Sequence, residues 1–443
     1  MDGEKHKQIE FSALKSKKIT AVFDEPAMST DGGLLFLREA LLRNDIVERI
    51  ASVIPDKRHG SYVAHELREL IAQRVAQIAC GYEDANDCND MRHDAALKVA
   101  AGRLPEDDAL GTQPTMSRLE NSVKSTVLFR IGEEIVDHFI DSFESAPEAV
   151  VIDIDPTADH VHGQQQLALF NDYEKEYCFM PFHIYDGVTG RLITTALRPG
   201  KTPTASEIKS LLKRIEKRLR KAWPRTKLIL RGDSHHTKPE VMDWMERVGM
   251  DFITGLSPNS RLNEMFADTL KRAEKRFELS GRKVAMFASD YYAAGTWSRH
   301  RRVVCRVIVS DQGTDVRYIV TSFAKASAKY LYETVYCGRG RMELMIKDHK
   351  NGLKSDRTSC HKKQANQFRL FMHSAAYVLL HWIRENMLKG SELANAQFDT
   401  IRLKLLKLGA RAEVKKTLIR LHLPQACPMQ DVMIRAMRML DTG

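Results

Sequence analysis

The order of predicted elements between Ala149 and Leu256 limits the fold of this chain more than any other feature. The segment AVVIDID, which begins at Ala149, is a short apolar run of β-branched residues, as in a buried strand. Tyr177–Tyr185 and Arg191–Leu197 predict two more strands, separated by turn-forming residues. Helical and strand patterns then alternate up to Leu256. Three strands followed by helix, strand, helix and strand predict a mixed α/β sheet.

This order of elements is that of a ribonuclease-H-like core, and the segments on either side of it show mainly helical spacing. Strand-like runs rich in Arg and Lys predict a β-rich insertion before the final helices. The predicted regions are a helical N-terminal region that begins with an extended arm and serves DNA-end binding or packing (1–145), the first part of the core (146–258), the β-rich insertion (259–324), an acidic helix that ends the core (325–390) and a helical C-terminal region (391–443).

Carboxylates stand at the ends of two strands that are neighbours in such a core. Asp153 and Asp155 are two residues apart and therefore point to the same face of the first strand. Asp233 ends the fourth strand, and a helix packed beside both strands would add Glu343. Carboxylates brought together in a low dielectric repel one another, and hard divalent cations such as Mg²⁺ or Mn²⁺ relieve that repulsion. Two such ions suit an in-line displacement at phosphorus.

The segment Tyr336–Lys350 carries a polar stripe that suits contact with a phosphodiester. Steps of three, four and seven residues return to one face of an α-helix and align Tyr336, Arg339, Glu343 and Lys350. A guanidinium can contact a phosphate through two N–H groups, whereas an ammonium acts as a point charge. A phenol can hydrogen-bond a phosphate or stack on an unpaired base. Gly338 and Gly340 disfavour a regular helix start and leave Tyr336 the least secure member; a solvated surface is the simpler interpretation of Glu343 taken alone.

Zinc is the competing metal. His160 and His162 follow the first strand, and His235 and His236 follow Asp233. Their spacing fits no established zinc pattern, so DNA contacts or surface positions are the favoured interpretation of these histidines.

The overall charge favours an anionic partner. The 443 residues carry a formal net charge of +10, which favours nucleic acid first and a membrane surface second. No apolar run approaches the roughly 20 residues of a transmembrane helix. Seven cysteines without a CxxC pair are typical of a reducing compartment. We therefore expect a cytoplasmic DNA-binding protein without a membrane partner.

The sequence resembles the DDE transposases of bacterial insertion sequences. The pattern Y-x2-R-x3-E-x6-K matches the YREK signature of the IS4-like superfamily at all four positions. More specifically, the chain resembles the insertion-sequence thirteen-eighty group. The segments that carry this resemblance, in chain order, are GGLLFLRE, IACGYEDANDCNDMRHD, QPTMSRLEN, DIDPTADHVHGQQ, YCFMPFHIY, ALRPGK, LRGDSHH and SDRTSCHKKQANQFR.

The resemblance implies cut-and-paste transposition, in which cleavage at the terminal inverted repeats of the element is followed by strand transfer into target DNA. It implies Asp155, Asp233 and Glu343 as catalytic and metal-binding residues, with Mg²⁺ as the ion and Mn²⁺ as its substitute. Asp155 precedes Thr157 by two residues, as in the family pattern, and Asp153 is a rival or auxiliary ligand. Further implications are a homodimer on DNA, a nucleoid-associated location in bacteria, and DNA contacts by Tyr336, Arg339, Lys350, Arg198 and Arg231.

Two other functions remain open at this point. One is a metal-dependent DNA nuclease of the same fold that hydrolyses without strand transfer. The other is a non-catalytic DNA-binding protein derived from a transposase.

Overall fold

An eight-stranded mixed sheet organises the computed structural model, which describes residues 7–25 and 27–441. The strands are β1 (Gln8–Leu14), β2 (Lys17–Val22), β3 (Met28–Ser29), β4 (Ala149–Pro156), β5 (Asp159–His160), β6 (Leu169–Asn171), β7 (Glu176–Phe179), β8 (Phe182–Asp186), β9 (Leu192–Ala196), β10 (Lys227–Gly232), β11 (Asp251–Leu256), β12 (Val284–Tyr292), β13 (Arg301–Ser310), β14 (Gly313–Thr321), β15 (Ala410–Lys415) and β16 (Leu418–His422).

Most of the helices lie outside the sheet segments of the chain. They are α1 (Leu34–Arg43), α2 (Ile46–Ser52), α3 (Leu67–Ala79), α4 (Asp87–Met91), α5 (Ala95–Ala101), α6 (Gln113–Ser122), α7 (Ser125–Asp141), α8 (Ala205–Ala222), α9 (Pro239–Arg247), α10 (Ser260–Met265), α11 (Ala267–Ser280), α12 (Ala328–Tyr330), α13 (Gly340–Lys347), α14 (Lys363–Asn386), α15 (Phe398–Ile401) and α16 (Gln430–Asp441). No helix within the described residues is both long and apolar enough to cross a bilayer.

The order of strands in the large sheet is β12-β13-β14-β11-β10-β4-β8-β9. Within it, β4, β10 and β11 run parallel, whereas β8 and β9 continue antiparallel from β4. The five strands β9-β8-β4-β10-β11 therefore form the ribonuclease-H-like core, with the first and fourth strands as neighbours. The predicted fold class is confirmed.

The two faces of β4 differ in character because successive side chains point in opposite directions. Val150, Ile152 and Ile154 are buried on one face, where they pack in a core shared with the apolar side of α8. Burial of such an aliphatic side chain stabilises the fold by roughly 1.5–3 kcal/mol. The alternate positions carry Asp153 and Asp155, so the strand is anchored by one face and presents carboxylates on the other.

The β-rich insertion extends the core sheet rather than standing apart from it. Strand β14 pairs antiparallel with β11, with Ile253 opposite Thr321, and β13 and β12 follow. The edge of β11 would otherwise present unpaired backbone groups, and the insertion satisfies them. The boundaries predicted for this region and its neighbours stay predictions.

The strand predicted at Tyr177–Tyr185 is two strands. Pro181 separates β7 from β8, since proline has no backbone N–H to donate and interrupts the ladder. Only β8 joins the large sheet. Strand β7 pairs instead with β5 and β6 in a small separate sheet next to the end of β4.

Both terminal regions contain β-structure that helical spacing did not predict. Strands β1 and β2 form an exposed hairpin, in place of an extended arm, before the helices that begin at Leu34. Strands β15 and β16 form a second hairpin, and Ala410 of β15 pairs with Ser29 of β3. Strands β3 and β15 are far apart in the sequence, so the periodicity of neighbouring residues does not predict that they pair. The apolar helix predicted at Ala365–Glu385 is present as α14 and is buried along most of its length.

Candidate active site

Asp155 and Asp233 lie at the ends of two neighbouring parallel strands. In the ladder between β4 and β10, Asp153 is level with Arg231. Asp155 and Asp233 each follow two residues later, at the ends of these strands. The two carboxylates are close enough to interact electrostatically. Burial raises the pKa of Asp155; the nearby Arg339 guanidinium lowers it and the negative charge of Asp233 raises it. The sequence-based expectation that these strand ends meet agrees with this geometry.

Hydrogen bonds hold the Asp233 carboxylate in one orientation. It accepts the backbone N–H of His235 at 2.9 Å and caps the short 3-10 turn Ser234–His236. The Nδ1 atoms of His235 and His236 each lie 2.8 Å from one of its oxygens. Burial raises the pKa of Asp233, but the hydrogen bonds and charges of His236 and His235 outweigh it and hold this pKa well below its usual range. Asp233 is therefore an ionised, fixed acceptor.

Asp153 is part of a buried ion pair. Its side chain is 0% exposed, and its two oxygens accept the Nε and Nη2 groups of Arg231, each at 2.6 Å. Arg231 also donates Nη1–H to the carbonyl of Val335 at 2.7 Å. A bidentate pair of this kind satisfies both partners. These contacts argue against Asp153 as a metal ligand and against Arg231 as a DNA contact, and they leave Asp155 as the favoured first aspartate.

The second residue predicted to touch DNA near the sheet, Arg198, is likewise engaged within the protein. It is 5% exposed and donates to the carbonyl oxygens of Met180 and Lys201 and to the carboxylate of Glu207. Its guanidinium also lies over the ring of Phe182. A DNA contact would have to break several of these bonds, so the structure favours a packing role.

The segment that carries the polar stripe is not one regular helix. Leu331–Tyr336 is π-helical, Cys337–Arg339 is a 3-10 turn, α13 covers Gly340–Lys347, and Asp348–Gly352 is π-helical again. The irregular start predicted from the two glycines is present. Because π-helical and 3-10 turns change the angle per residue, the four residues do not form the single α-helical stripe that their spacing predicts. Only Glu343 lies within the α-helical part.

Arg339 is the member of this segment that reaches the aspartates. Its Nη2 lies 2.7 Å from Oδ1 of Asp155, and its Nε is buried without a hydrogen-bond partner among the described residues. Gly338 allows this segment to pack closely against Arg231, since a Cβ at position 338 would lie 2.5 Å from Nη1 of Arg231. The segment is thereby fixed against the ends of β4 and β10.

The other three members occupy different surroundings. Tyr336 is half-buried against Tyr332, and burial raises its pKa, with Arg339 and Asp233 as neighbouring charges. Lys350 donates Nζ–H to the carbonyl of Ala158, just beyond β4. Glu343 is exposed on α13, one helical turn beyond Arg339. The structure thus brings together Asp155, Asp233 and Arg339, and leaves Glu343 outside that group.

The histidines do not support a zinc site. His160 pairs with Glu176 at 2.8 Å in the small sheet, whereas His235 and His236 are bonded to Asp233. Within residues 7–25 and 27–441, no group of three or more His, Cys, Asp or Glu side chains is arranged to hold a metal ion. Two buried polar residues beside the site, Asp159 and His183, were not singled out from the sequence. His183 offered a signal as a polar residue within the apolar run FMPFHIY, whereas Asp159 stands in the largely polar segment PTADHVH and offered none.

Comparison with known families decides the identity. The family model described as "Transposase DDE domain group 1" matches residues 11–442 of this chain. The chain belongs to the DDE transposase family. A cryo-EM structure of piggyBac transposase in a synaptic complex with hairpin DNA is similar with a TM-score of 0.45 and 12% identity, covering 85% of this chain and 79% of that chain. No curated protein gives a match.

DDE transposases depend on divalent metal ions, and the donor atoms of this transposase fit such an ion in part. Asp155 and Asp233 supply carboxylate oxygens, the ligand type that Mg²⁺ prefers, and their mutual repulsion is of the kind that a cation relieves. Glu343 is the third carboxylate that the sequence predicts for this site. It lies on the helix that follows Arg339, so a shift of α13 towards the strand ends is needed before all three can share an ion.

Proposed function

We propose that this transposase cuts DNA at the terminal inverted repeats of its own mobile element and joins the freed ends to target DNA. The observation that carries the proposal is the juxtaposition of Asp155, Asp233 and Arg339 at the ends of β4 and β10. Two carboxylates and a guanidinium in one place suit a reaction in which negative charge builds up on a phosphodiester held beside a cation.

Asp155, Asp233 and Glu343 would hold two Mg²⁺ ions, with Mn²⁺ as a substitute. A divalent cation bound there supplies positive charge for the attacking and leaving oxygens of the phosphodiester. The hydrogen bonds from His235 and His236 keep Asp233 ionised and correctly turned before any ion arrives. Asp233 is thus ionised and oriented without a cation, whereas Asp155 must leave Arg339, and Glu343 must move towards the strand ends, before either can bind one.

Arg339 would exchange its partner when DNA binds. It is paired with Asp155 in the structure, and a scissile phosphate offers an alternative anion of suitable geometry. Release of Asp155 to a cation and transfer of Arg339 to the phosphate would then occur together. The position of the Arg339 guanidinium beside Asp155 supports its assignment as a DNA contact, with Lys350 and Tyr336 as neighbouring candidates.

We also propose a finer classification of this protein within the DDE transposases. The YREK spacing supports membership of the IS4-like superfamily and its insertion-sequence thirteen-eighty group. Both ends of an element must be held during transposition, which favours a homodimer on DNA. The positive net charge supports association with the nucleoid of a bacterial cytoplasm.

A strand-transfer assay with DNA that carries the terminal repeats flanking the gene, with Mg²⁺, tests the proposal. We expect cleavage and joined product from the wild type, and loss of both from Asp155→Asn, Asp233→Asn and Glu343→Gln with DNA binding retained. Glu278→Gln, at an exposed position on α11, is the matched control and should stay active. Cleavage without joined product would favour a nuclease, and binding without cleavage would favour a non-catalytic protein; either result contradicts the proposal.

A further inference from the structure

A groove in the N-terminal region lies apart from the ends of β4 and β10. It encloses about 790 Å³ and is bounded by the loop between α2 and α3, by α6 and by the first turns of α7. Its floor is aliphatic, since Leu119, Val123 and Val127 are buried there. The described residues that line it all lie between positions 54 and 130, so it shares none of them with the candidate active site.

Five cationic side chains line this groove, whereas only one acidic side chain does so among the described residues. The acid is Asp56, and it pairs with Arg58 at 2.5 Å, so these two residues contribute no net charge. The cations are Lys57, Arg58, Arg118, Lys124 and Arg130, and we call the space that they line the basic groove.

The other four cations of the basic groove are not neutralised within the protein. Arg118 donates to the hydroxyl of Thr115 at 3.2 Å, which is an uncharged partner. Lys57, Lys124 and Arg130 are exposed, and their side chains have no ion pair or hydrogen bond with any residue in 7–25 and 27–441. Like charges over a low-dielectric floor concentrate a positive potential. A phosphodiester backbone, which repeats a negative charge at short intervals, is the partner that fits them.

Helix α7 joins the basic groove to the strand that carries Asp155. Lys124 directly precedes the helix, and Arg130 lies in its second turn. Further along, Val136 and Phe139 belong to the same core as β4. Because protein interiors are close-packed, a helix held by that core keeps its position relative to the sheet. The basic groove is therefore at a fixed distance from the ends of β4 and β10.

The loop between α2 and α3 adds an exposed aromatic ring to one side of the groove. Residues 53–66 contain only a short 3-10 turn, Gly60–Tyr62, and loops of this length within a packed domain are usually functional. Tyr62 is 86% exposed, and 5.6 Å separates its ring centroid from that of His59. A tyrosine hydroxyl can hydrogen-bond a phosphate oxygen of DNA. The loop thus offers a further donor beside the cations.

We propose that the basic groove binds the phosphate backbone of duplex DNA on the transposon side of the cut, away from the bond that is cleaved. This inference rests on the proposed function, because it assigns the bound duplex to the end of the element. That end is present in both cleavage and strand transfer, whereas flanking DNA leaves after the first step and target DNA arrives for the second. A surface fixed relative to β4 can keep the end in the site between the two steps.

Salt-dependent binding to two partial substrates tests this assignment. One duplex carries only the terminal repeat up to the cut, the other carries only flanking DNA, and binding is measured without divalent cations. Each phosphate contact that is lost lowers the slope of log K against log salt by about one. For Lys124→Gln with Arg130→Gln, we expect the slope to fall by about two on the repeat duplex and to stay unchanged on the flank. Lys275→Gln with Lys389→Gln removes two exposed cations outside the groove, and this matched control should leave both slopes unchanged.

Tyr62→Phe gives a readout that does not depend on charge. We expect its affinity for the repeat duplex to fall by about two- to tenfold, the effect of losing one hydrogen bond, with an unchanged melting temperature. An equal slope change of the Lys124 and Arg130 variant on both duplexes, or a change confined to the flank, would overturn the inference. No change on either duplex would also overturn it and would make an acidic protein segment the better occupant.

This inference and the proposed function fail separately. If the repeat duplex shows the expected slopes but the wild type neither cleaves nor joins DNA, the proposed function fails while the basic groove stands as a DNA-binding surface. If cleavage and joining are normal and Lys124→Gln with Arg130→Gln leaves the slope unchanged, only the inference about the groove fails.

Discussion

Arg339 and Asp155 form an ion pair of 2.7 Å between the segment that precedes α13 and the end of β4. In the absence of DNA, the side chain best suited to bind phosphate thus blocks one oxygen of a carboxylate predicted to bind metal. The proposed function therefore requires the substrate phosphate to replace Asp155 as the partner of Arg339, and a cation to replace Arg339 as the partner of Asp155.

The ion pair predicts opposite effects of Arg339→Ala on metal and on DNA. Removing the guanidinium frees Asp155, so the DNA-free protein should bind Mn²⁺ more tightly than the wild type in a calorimetric titration. Cleavage should fall by about a hundredfold, as is typical when one preorganised transition-state contact is lost. Unchanged or weaker Mn²⁺ binding by the variant would contradict competition between Arg339 and a cation for Asp155.

Asp153 and Asp155 should respond differently to the same substitution. Asp153→Asn leaves Arg231 buried without its counter-charge, which costs about 3–5 kcal/mol of unfolding free energy. Asp155→Asn should abolish cleavage with little effect on the melting temperature, since its side chain is 23% exposed and is paired at the surface of the site.

A paired replacement checks the assignment of Asp153. The variant Asp153→Leu with Arg231→Met removes both buried charges, and we expect it to recover most of the stability lost by Asp153→Asn. Chemical denaturation measures both. If Asp153→Asn is as stable as the wild type yet inactive, Asp153 is the catalytic aspartate instead.

Gly338, which lies just before α13, and Gly340, which is its first residue, should tolerate alanine unequally. A Cβ on Gly338 would lie 2.5 Å from Nη1 of Arg231, which cannot move because Asp153 holds it. Gly338→Ala should therefore lower the melting temperature and the cleavage rate. A Cβ on Gly340 meets nothing within 4 Å, so Gly340→Ala serves as the control and should stabilise the helix by up to about 1 kcal/mol. Equal tolerance at both positions would contradict the packing around Arg231.

Buried histidines predict acid sensitivity of the fold. Burial lowers the pKa of His373 to about 3, whereas a histidine in the unfolded chain titrates near 6.5. Between these values the unfolded state binds one more proton, so the unfolding free energy falls as pH falls, by about 1.4 kcal/mol per pH unit for this residue. His373→Asn keeps a donor for the Leu353 carbonyl and should flatten the dependence by that amount in urea unfolding between pH 6 and 4. An unchanged slope would show that His373 is protonated in the folded protein.

Local sequence patterns were sufficient to predict the core of this protein but not the pairing of its charges. The alternation in AVVIDID and the order of strands predicted the sheet and the meeting of Asp155 with Asp233. The sequence shows that Arg198 and Arg231 are charged but not that they are buried, so both were predicted to contact DNA. Their partners come from other strands and loops, and Asp153 is 78 positions away from Arg231. Such pairs exist only after the sheet has formed.

The terminal hairpins escaped prediction for a related reason. A strand of two residues such as β3 has no periodicity of its own, and it is defined only by its bonds to β15. The π-helical segments are similar, because their residues have helical character and only the packing of the finished fold sets the wider turn.

The π-helical turn at Asp348–Gly352 holds one residue more than an α-helical turn between the same neighbours. If that residue were deleted and the segment became α-helical, the chain on either side would keep nearly its present orientation, because five residues of the wide turn and four of an α-helix cover about the same angle. Lys350 lies inside the turn and would lose the register that brings its ammonium to the carbonyl of Ala158, whereas Glu343 precedes the turn and would keep its place. A deletion here would therefore displace one charged side chain without reorienting the fold around it.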